Sequence, residues 1–193
     1  MYKLCKTEQS AQRQRQMEQG LLEYMRVHRY EEITISNLCE HLQIPRKSFY
    51  RYFDSKDGAL IALIDHTFME YEGFQSPYAE GRVRSMESDL ESFFLFWESR
   101  KSVLDVLEKS GLIGILLERA IDHVKTMSSI GRFLPGESEQ MRTYVSNFAI
   151  SGMMIMMVNW HHAGYRETPK EMAQIATRLL SKPLFPDIQE MLR

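Results

Sequence analysis

Residues 33–56 read ITISNLCEHLQIPRKSFYRYFDSK, and this stretch decides the fold class of the region around it. Two short helical patterns flank a break at Gln43 and Ile44. Thr34 can cap the first helix with its hydroxyl oxygen. Pro45 suits the start of the second helix, because its ring presets φ and it has no amide hydrogen to lose. This arrangement predicts a helix-turn-helix.

The second helix of this stretch carries cations and aromatic rings. No acidic residue occurs from residue 41 to residue 53. Phe49 and Phe53 are one turn apart, so we expect both rings to pack inward. The outward face then carries Lys47, Tyr50 and Arg51. A surface of this composition favours binding to a polyphosphate, although a solvated basic helix in an unrelated bundle is the alternative.

These residues resemble the signature of the TetR family of bacterial transcription regulators, in which a capping threonine leads to an aromatic-rich recognition helix. The matching positions are Thr34, Leu38, Ile44, Tyr50, Phe53 and Lys56, with Tyr30 before the first short helix. The chain departs from the pattern at Arg29, Cys39, Leu42, Gln43, Pro45, Lys47 and Tyr52. The changes at Pro45 and Lys47 alter the DNA-facing chemistry, because a serine hydroxyl is absent and a cation is added.

The resemblance implies that the second helix enters a major groove of double-stranded DNA. By resemblance, Arg46, Lys47 and Ser48 read base edges, and Tyr50, Tyr52 and Lys56 bind phosphate. Thr34, Ser36 and Arg51 complete the expected DNA-binding set. One such motif makes few contacts, so the resemblance also implies a homodimer on a (pseudo)palindromic operator, with recognition helices about 34 Å apart.

Composition limits the class of protein. The 193 residues carry a formal net charge of −2, yet residues 1–56 hold ten Lys and Arg against seven Asp and Glu. The cationic excess therefore lies at the helix-turn-helix end of the chain. The two cysteines, Cys5 and Cys39, indicate neither a disulfide framework nor a cysteine metal site, and they fit a reducing cytoplasm. No apolar run reaches the ~20 residues of a membrane span, so no membrane association is expected.

Helical periodicity dominates the remaining sequence and predicts an all-α protein. We expect a helix-turn-helix DNA-binding domain over residues 1–54 and a larger helical bundle for dimerisation and effector binding over 55–193. Residues 55–72 are predicted to form a connector helix between them. Loops are predicted over 73–82 and 128–139, where glycine and proline are frequent.

Two apolar sets in the second domain are candidate sites. An effector pocket between bundle helices is typically apolar, and its candidate lining is Phe93, Phe94, Trp97, Leu117, Met156 and Trp160. Plain core packing is the alternative for each of them. Methionine suits an adaptable helix seam, and the candidate dimer interface is Met153, Met157, His161, Met172, Ile175 and Leu179.

The sequence therefore predicts a transcription regulator, specifically a repressor released from DNA by a small-molecule effector. A regulator without an effector, or one controlled by a protein partner, is the alternative. A small all-α enzyme using His123, His161 or His162 is a remote third reading. Because adjacent residues on a helix point about 100° apart, His161 and His162 are poorly placed to hold one metal ion. We expect no cofactor, metal site or catalytic residue.

Overall fold

A computed structural model describes residues 1–75, 85–126, 136 and 138–181 of the chain. Their helices are α1 (Glu8–Met25), α2 (Ile35–His41), α3 (Arg46–Phe49), α4 (Lys56–Gln75), α5 (Met86–Ser99), α6 (Lys101–Lys109), α7 (Ile113–Thr126), α8 (Glu139–His162) and α9 (Pro169–Ser181), with a 3-10 turn at Tyr30–Glu32. The prediction of an all-α fold is confirmed.

The helices begin where capping residues allow them to begin. The hydroxyl of Thr34 accepts a hydrogen bond from the Asn37 amide at 3.2 Å, and the Asn37 side chain accepts from the Thr34 amide at 2.9 Å. This reciprocal pair satisfies two backbone donors at the start of α2. The Ser55 hydroxyl accepts from the Gly58 amide at 3.0 Å at the start of α4, and Pro169 is the first residue of α9.

One predicted boundary moves. The loop expected from residue 73 starts later, because α4 continues through Gly73 to Gln75. A glycine in a helix costs only about 1 kcal/mol relative to alanine, which neighbouring helical residues can offset. The rest of that predicted loop, and most of the one predicted over 128–139, lie outside the described residues. Ser138 from the second loop caps α8 by accepting from the Met141 amide.

The described residues divide into two compact units. The first contains Met1–Glu70 and Ser102–Thr126, and the second contains the described parts of Tyr71–Lys101 and Met127–Arg193. Helix α4 contributes residues to both units. The domain boundary drawn from the sequence between residues 54 and 55 stays a prediction.

Each unit has its own apolar core. In the first unit α1 buries an apolar face, which consists of Met17, Leu21, Leu22 and Met25. The second unit is built around aromatic rings, and the most deeply buried are Phe94, Phe96, Trp97 and Trp160. In the described ranges no helix is both long and apolar enough to cross a membrane.

Candidate nucleic-acid interface

The turn between α2 and α3 uses a left-handed backbone residue. Gln43 has φ of 53°, in the region that glycine adopts more easily than other residues. The Ile44 amide then donates to the Cys39 carbonyl at 3.0 Å, which closes the turn. Pro45 is the residue before α3, with φ of −63° and ψ of 140°. The chain therefore changes direction between α2 and α3 within four residues, at the break that the sequence predicts.

Helix α3 is short, and two phenylalanines anchor its inner side. Phe49 and Phe53 are both fully buried, so they anchor this segment in the core of the first unit. The helix has only four residues, and the backbone continues as turns, with the Tyr52 and Phe53 amides donating to the Phe49 carbonyl. The side chains exposed above this anchor are Arg46, Lys47, Tyr50 and Arg51.

The exposed cations of α3 differ in their partners. The Arg46 guanidinium donates to the Tyr50 hydroxyl at 3.5 Å and lies 6.0 Å from the centre of its ring. This hydrogen bond raises the pKa of Arg46, so its charge is permanent. Lys47 and Arg51 make no ion pair or side-chain hydrogen bond with any described residue, which leaves their donors to solvent or to DNA phosphate.

The two other hydroxyls predicted on this face are placed differently. Ser48 is half-buried, and the Tyr52 side chain is only 4% exposed. Tyr52 lies three residues after Phe49, which puts its ring on the buried side of the segment. The Ser10 hydroxyl lies 3.5 Å from the Tyr52 hydroxyl, so the ring also contacts α1.

Lys56 is positioned at the start of α4 by the preceding 3-10 turn. Its ammonium donates to the Tyr30 carbonyl at 2.6 Å and lies 4.4 Å from the centre of the Tyr30 ring. The Tyr30 hydroxyl donates to Asp57 at 2.5 Å, and burial together with this carboxylate raises the pKa of Tyr30. A second, longer contact joins Lys56 to the Glu31 carbonyl. An ammonium has three donors, so one remains for a phosphate.

Thr34 and Ser36, at the start of α2, are both exposed. The Thr34 hydroxyl oxygen already accepts from Asn37, and its own hydrogen remains able to donate. The start of a helix also favours an anion, because its first amides point outward. Both residues are therefore placed where phosphate could reach them.

A groove of about 330 Å³ lies between α1 and the helix-turn-helix. Its lining is Arg13, Gln16, Met17, Leu42, Ile44, Ser48, Arg51 and Tyr52. Arg13 lies before the helix-turn-helix signature, and the sequence offers it, with Lys3, Lys6 and Arg15, only as a supplement to DNA binding from the amino-terminal residues and the first helix. The signal available in the sequence was the pair of arginines at residues 13 and 15. Because Arg13 and Arg51 both line the groove, it suits an anion.

The match to a known protein family lies in the carboxy-terminal half of the chain, outside the helix-turn-helix. Residues 112–182 match the family model TetR_C_8, described as the transcriptional regulator C-terminal region. This carboxy-terminal segment is therefore similar to TetR-family transcription regulators, and the similarity supports a regulator that binds DNA.

Two solved structures have folds similar to that of this chain. One is the dihydroxyacetone kinase operon activator DhaS, at 11% identity and a TM-score of 0.56, covering 87% of this chain and 93% of that one. The other is the fatty acid degradation regulator FadR from Bacillus halodurans, at 14% identity and a TM-score of 0.60, covering 89% and 96%. No curated protein matches the sequence.

The candidate effector residues fall in both units. Leu117 belongs to α7 in the first unit, whereas the other five belong to the second. In the second unit Phe94 meets Phe93 at 5.3 Å and Trp160 at 5.5 Å between ring centres, and both contacts are edge-on. Trp97 is 1% exposed, and Met156 is half-buried. The structure thus brings the aromatic members together as a packed cluster.

The candidate dimer residues are also divided by burial. Met153, Met157 and Met172 are buried inside the second unit. Ile175 and Leu179 are 44% and 42% exposed on α9. His161 is half-buried, and its Nδ1 lies 2.9 Å from the Tyr165 hydroxyl. The two exposed residues are one turn apart, so they share one face of α9.

Groups of three or more His, Cys, Asp or Glu that could hold a metal ion do not occur in the part of the chain that the structure describes. His161 and His162 have ring centres 5.9 Å apart, with their planes tilted by 47°.

Proposed function

We propose that this TetR-family regulator works as a cytoplasmic homodimer and that it is a repressor released from its operator by a small-molecule effector. The observation that supports DNA recognition most directly is the arrangement of α3, whose cations are exposed while two phenylalanines anchor the segment in the core. The buried rings fix the segment, and the cations supply counterion release and base-edge donors.

The DNA face is tested by footprinting on DNA flanking the native gene, followed by titrations at several salt concentrations. Lys47→Ala should weaken operator binding about tenfold to a hundredfold and relax preference at one base pair. Arg51→Ala should lower the magnitude of the salt slope by about one. The matched control is Lys101→Ala, an exposed cation on α6. Equal binding by all four proteins would refute the assigned face.

The dimer proposal is supported by an exposed stripe along α8. Its members are Met141, Val145, Phe148, Gly152, Ile155 and Asn159, all exposed and spaced alternately four and three residues apart. This 3.5-residue repeat is that of a helix seam that packs against another helix. Phe148 is 67% exposed, which is costly for an isolated phenylalanine in water. Covering this stripe with a second copy would remove the ring from water.

A glycine lies within the stripe. A Cβ at Gly152 would meet no atom from another part of the described chain within 4 Å, so the position offers open space to a partner helix. Close approach of two backbones needs such a residue. On α9 the exposed Ile175 and Leu179 extend the apolar surface that the second copy would cover.

The effector proposal places an apolar compound among the aromatic rings of the second unit. Entry would have to separate rings that now touch, such as Phe94 and Trp160 at 5.5 Å. An effector that binds more tightly to the dimer arrangement that does not fit the operator lowers the affinity of the dimer for the operator. By reciprocity, bound DNA lowers the affinity of the dimer for the effector by the same factor. A metabolite panel, read by melting temperature and operator titration, tests this reciprocity.

The direct contacts between these rings favour a second candidate function, a regulator with no small-molecule effector that a protein partner controls. The same panel separates the two candidates, because the second one requires that no compound change operator affinity. The direction of regulation needs a reporter gene. DhaS is described as an activator. If this chain is a repressor, expression of the reporter gene should rise when the gene for this chain is deleted.

A further inference from the structure

The first three residues run beside the end of the recognition segment. The Lys3 amide donates to the Tyr52 carbonyl at 2.9 Å, and the Asp54 amide donates to the Met1 carbonyl at 3.1 Å. Tyr2 and Phe53 thus form an antiparallel bridge. We call residues 1–3 the arm. It supplies backbone partners to the turn that joins α3 to α4.

Two side chains of the arm contact the segments on either side of this turn, the end of α3 and helix α4. The Lys3 ammonium donates to the carbonyl of Tyr50, the residue that ends α3, at 3.1 Å. The Tyr2 hydroxyl donates to Asp65 of α4 at 3.0 Å, and the Tyr2 ring lies edge-on to His66 at 5.6 Å. Tyr2 is therefore directed at α4, while Lys3 reaches the end of the recognition helix.

The path of the arm depends on a glycine in α4. A Cβ at Gly58 would overlap the carbonyl oxygen of Met1, with the Met1 backbone nitrogen at 3.1 Å. These are backbone atoms that cannot rotate away, so the arm and a side chain at this position exclude each other. Gly58 costs helix stability relative to alanine, and the room it leaves is filled by the arm.

The anchor of the arm is itself held firmly. Asp65 is 8% exposed and accepts two hydrogen bonds from Arg119 of α7, at 2.7 and 2.8 Å. Burial, with Asp65 beside it, raises the pKa of Tyr2 to about 12, so its hydroxyl remains a donor at physiological pH. Tyr2 therefore links the arm to a carboxylate that Arg119 holds in place.

We propose that the arm is a positioning element that holds α3 in the orientation that reads DNA. A four-residue helix makes too few internal hydrogen bonds to hold itself, because helix formation has an unfavourable nucleus. The arm supplies the missing partners on the side joined to α4. The role rests on the proposed DNA-reading function, since it matters only if α3 binds the operator.

Losing the arm lowers the fraction of protein that is ready to bind. The apparent dissociation constant rises as this fraction falls. Loss of one or two hydrogen bonds changes such an equilibrium by roughly a factor of ten. The contacts between protein and phosphate are unchanged in the bound state, so the dependence of binding on salt should be unchanged.

The test uses three variants of the full chain. Gly58→Ala displaces the arm, and Tyr2→Phe removes only the bond to Asp65. Gly73→Ala is the matched control, because Gly73 is also a glycine of α4 and a Cβ there meets no atom of other described residues within 4 Å. Operator affinity, its salt slope, the melting temperature and hydrogen exchange of the Asp54 amide are measured for each.

We expect Gly58→Ala and Tyr2→Phe to raise the operator Kd about fivefold to tenfold, with an unchanged salt slope. The Asp54 amide should exchange faster in both, and Gly73→Ala should bind as the parent does. Faster exchange at Asp54 with unchanged Kd would overturn the proposal, because the arm would then be structural only. A smaller salt slope in Tyr2→Phe would also overturn it, since the arm would then contact DNA directly. If the parent protein itself binds no DNA, the proposed function fails before the arm is tested.

Discussion

Arg119 of α7 donates to both carboxylate oxygens of Asp65 of α4, through Nε to Oδ1 at 2.7 Å and through a terminal nitrogen to Oδ2 at 2.8 Å. The Asp65 side chain is 12% exposed, and the Arg119 side chain is 30% exposed. A planar guanidinium matches a carboxylate in this two-bond geometry, which a lysine cannot reproduce. The pair joins two helices of the first unit that lie far apart in sequence.

Breaking this pair should destabilise the first unit. We expect Arg119→Ala to lower the free energy of unfolding by about 1–3 kcal/mol, because a buried carboxylate loses two charged hydrogen bonds. Lys125→Ala is the control, since Lys125 pairs with Asp122 at side chains that are 55% and 43% exposed, where solvent screens the pair and its contribution to stability is small. Urea denaturation measures both. Equal losses in the two variants would show that the geometry of the Asp65 pair adds nothing.

Glu18 should make stability depend on pH. It is 1% exposed and lies 2.8 Å from His66, and burial raises its pKa above the ordinary value of 4.5 in spite of this partner. The folded state therefore binds a proton that the unfolded state releases, between pH 4.5 and the raised value. The wild-type protein should gain stability relative to Glu18→Gln as the pH falls from neutral towards 4.5. Denaturation curves across this range that differ by a constant amount would contradict this.

Gln43 should be improved by glycine. At a φ of 53°, a residue with a side chain is strained by about 1–2 kcal/mol, which glycine would relieve. The greater freedom of glycine in the unfolded chain offsets about 0.5–1 kcal/mol of this gain. We expect Gln43→Gly to raise the free energy of unfolding by about 0.5–1 kcal/mol. Gln12→Gly, at an exposed position within α1, should instead lose about 1 kcal/mol. A loss in both variants would show that the Gln43 side chain has a stabilising contact.

Gly152 should be sensitive to a charge if α8 forms the dimer seam. We expect Gly152→Glu to be folded but monomeric at micromolar concentration, because the carboxylate would be buried between two helices without a partner. Gly114→Glu on α7 is the control, since a Cβ there also has no neighbour within 4 Å among the residues that the structure describes. Sedimentation velocity reports the oligomeric state, and circular dichroism reports folding. A Gly152→Glu protein that sediments like the parent would place the dimer interface elsewhere.

Local chemistry made much of the fold predictable. Thr34, Ser55 and Pro169 each start a helix for reasons that reside in the residue itself, a capping oxygen or a preset φ. Such signals act within four residues and need no knowledge of the rest of the chain. The all-α class followed from the same local periodicity.

The side on which a residue lies was harder to predict. The α8 sequence is apolar on several sides, so methionines such as Met153 and Met157 looked suited to an interface although they lie in the core. The exposed stripe instead contains Phe148 and Ile155. Tyr52 likewise looked available to phosphate but its ring is buried. Only the positions of neighbouring helices distinguish an inner from an outer apolar face.

The sequence by itself determined the helix-turn-helix, the all-α class and the cationic character of α3, because capping, proline geometry and charge are properties of short segments. The tertiary structure alone decided that residues 1–3 lie along the turn after α3, with room at Gly58, and that Asp65 meets Arg119. These partners are roughly 50–60 residues apart in sequence. No periodic pattern encodes such pairings, since they arise only when the packed cores bring distant segments together.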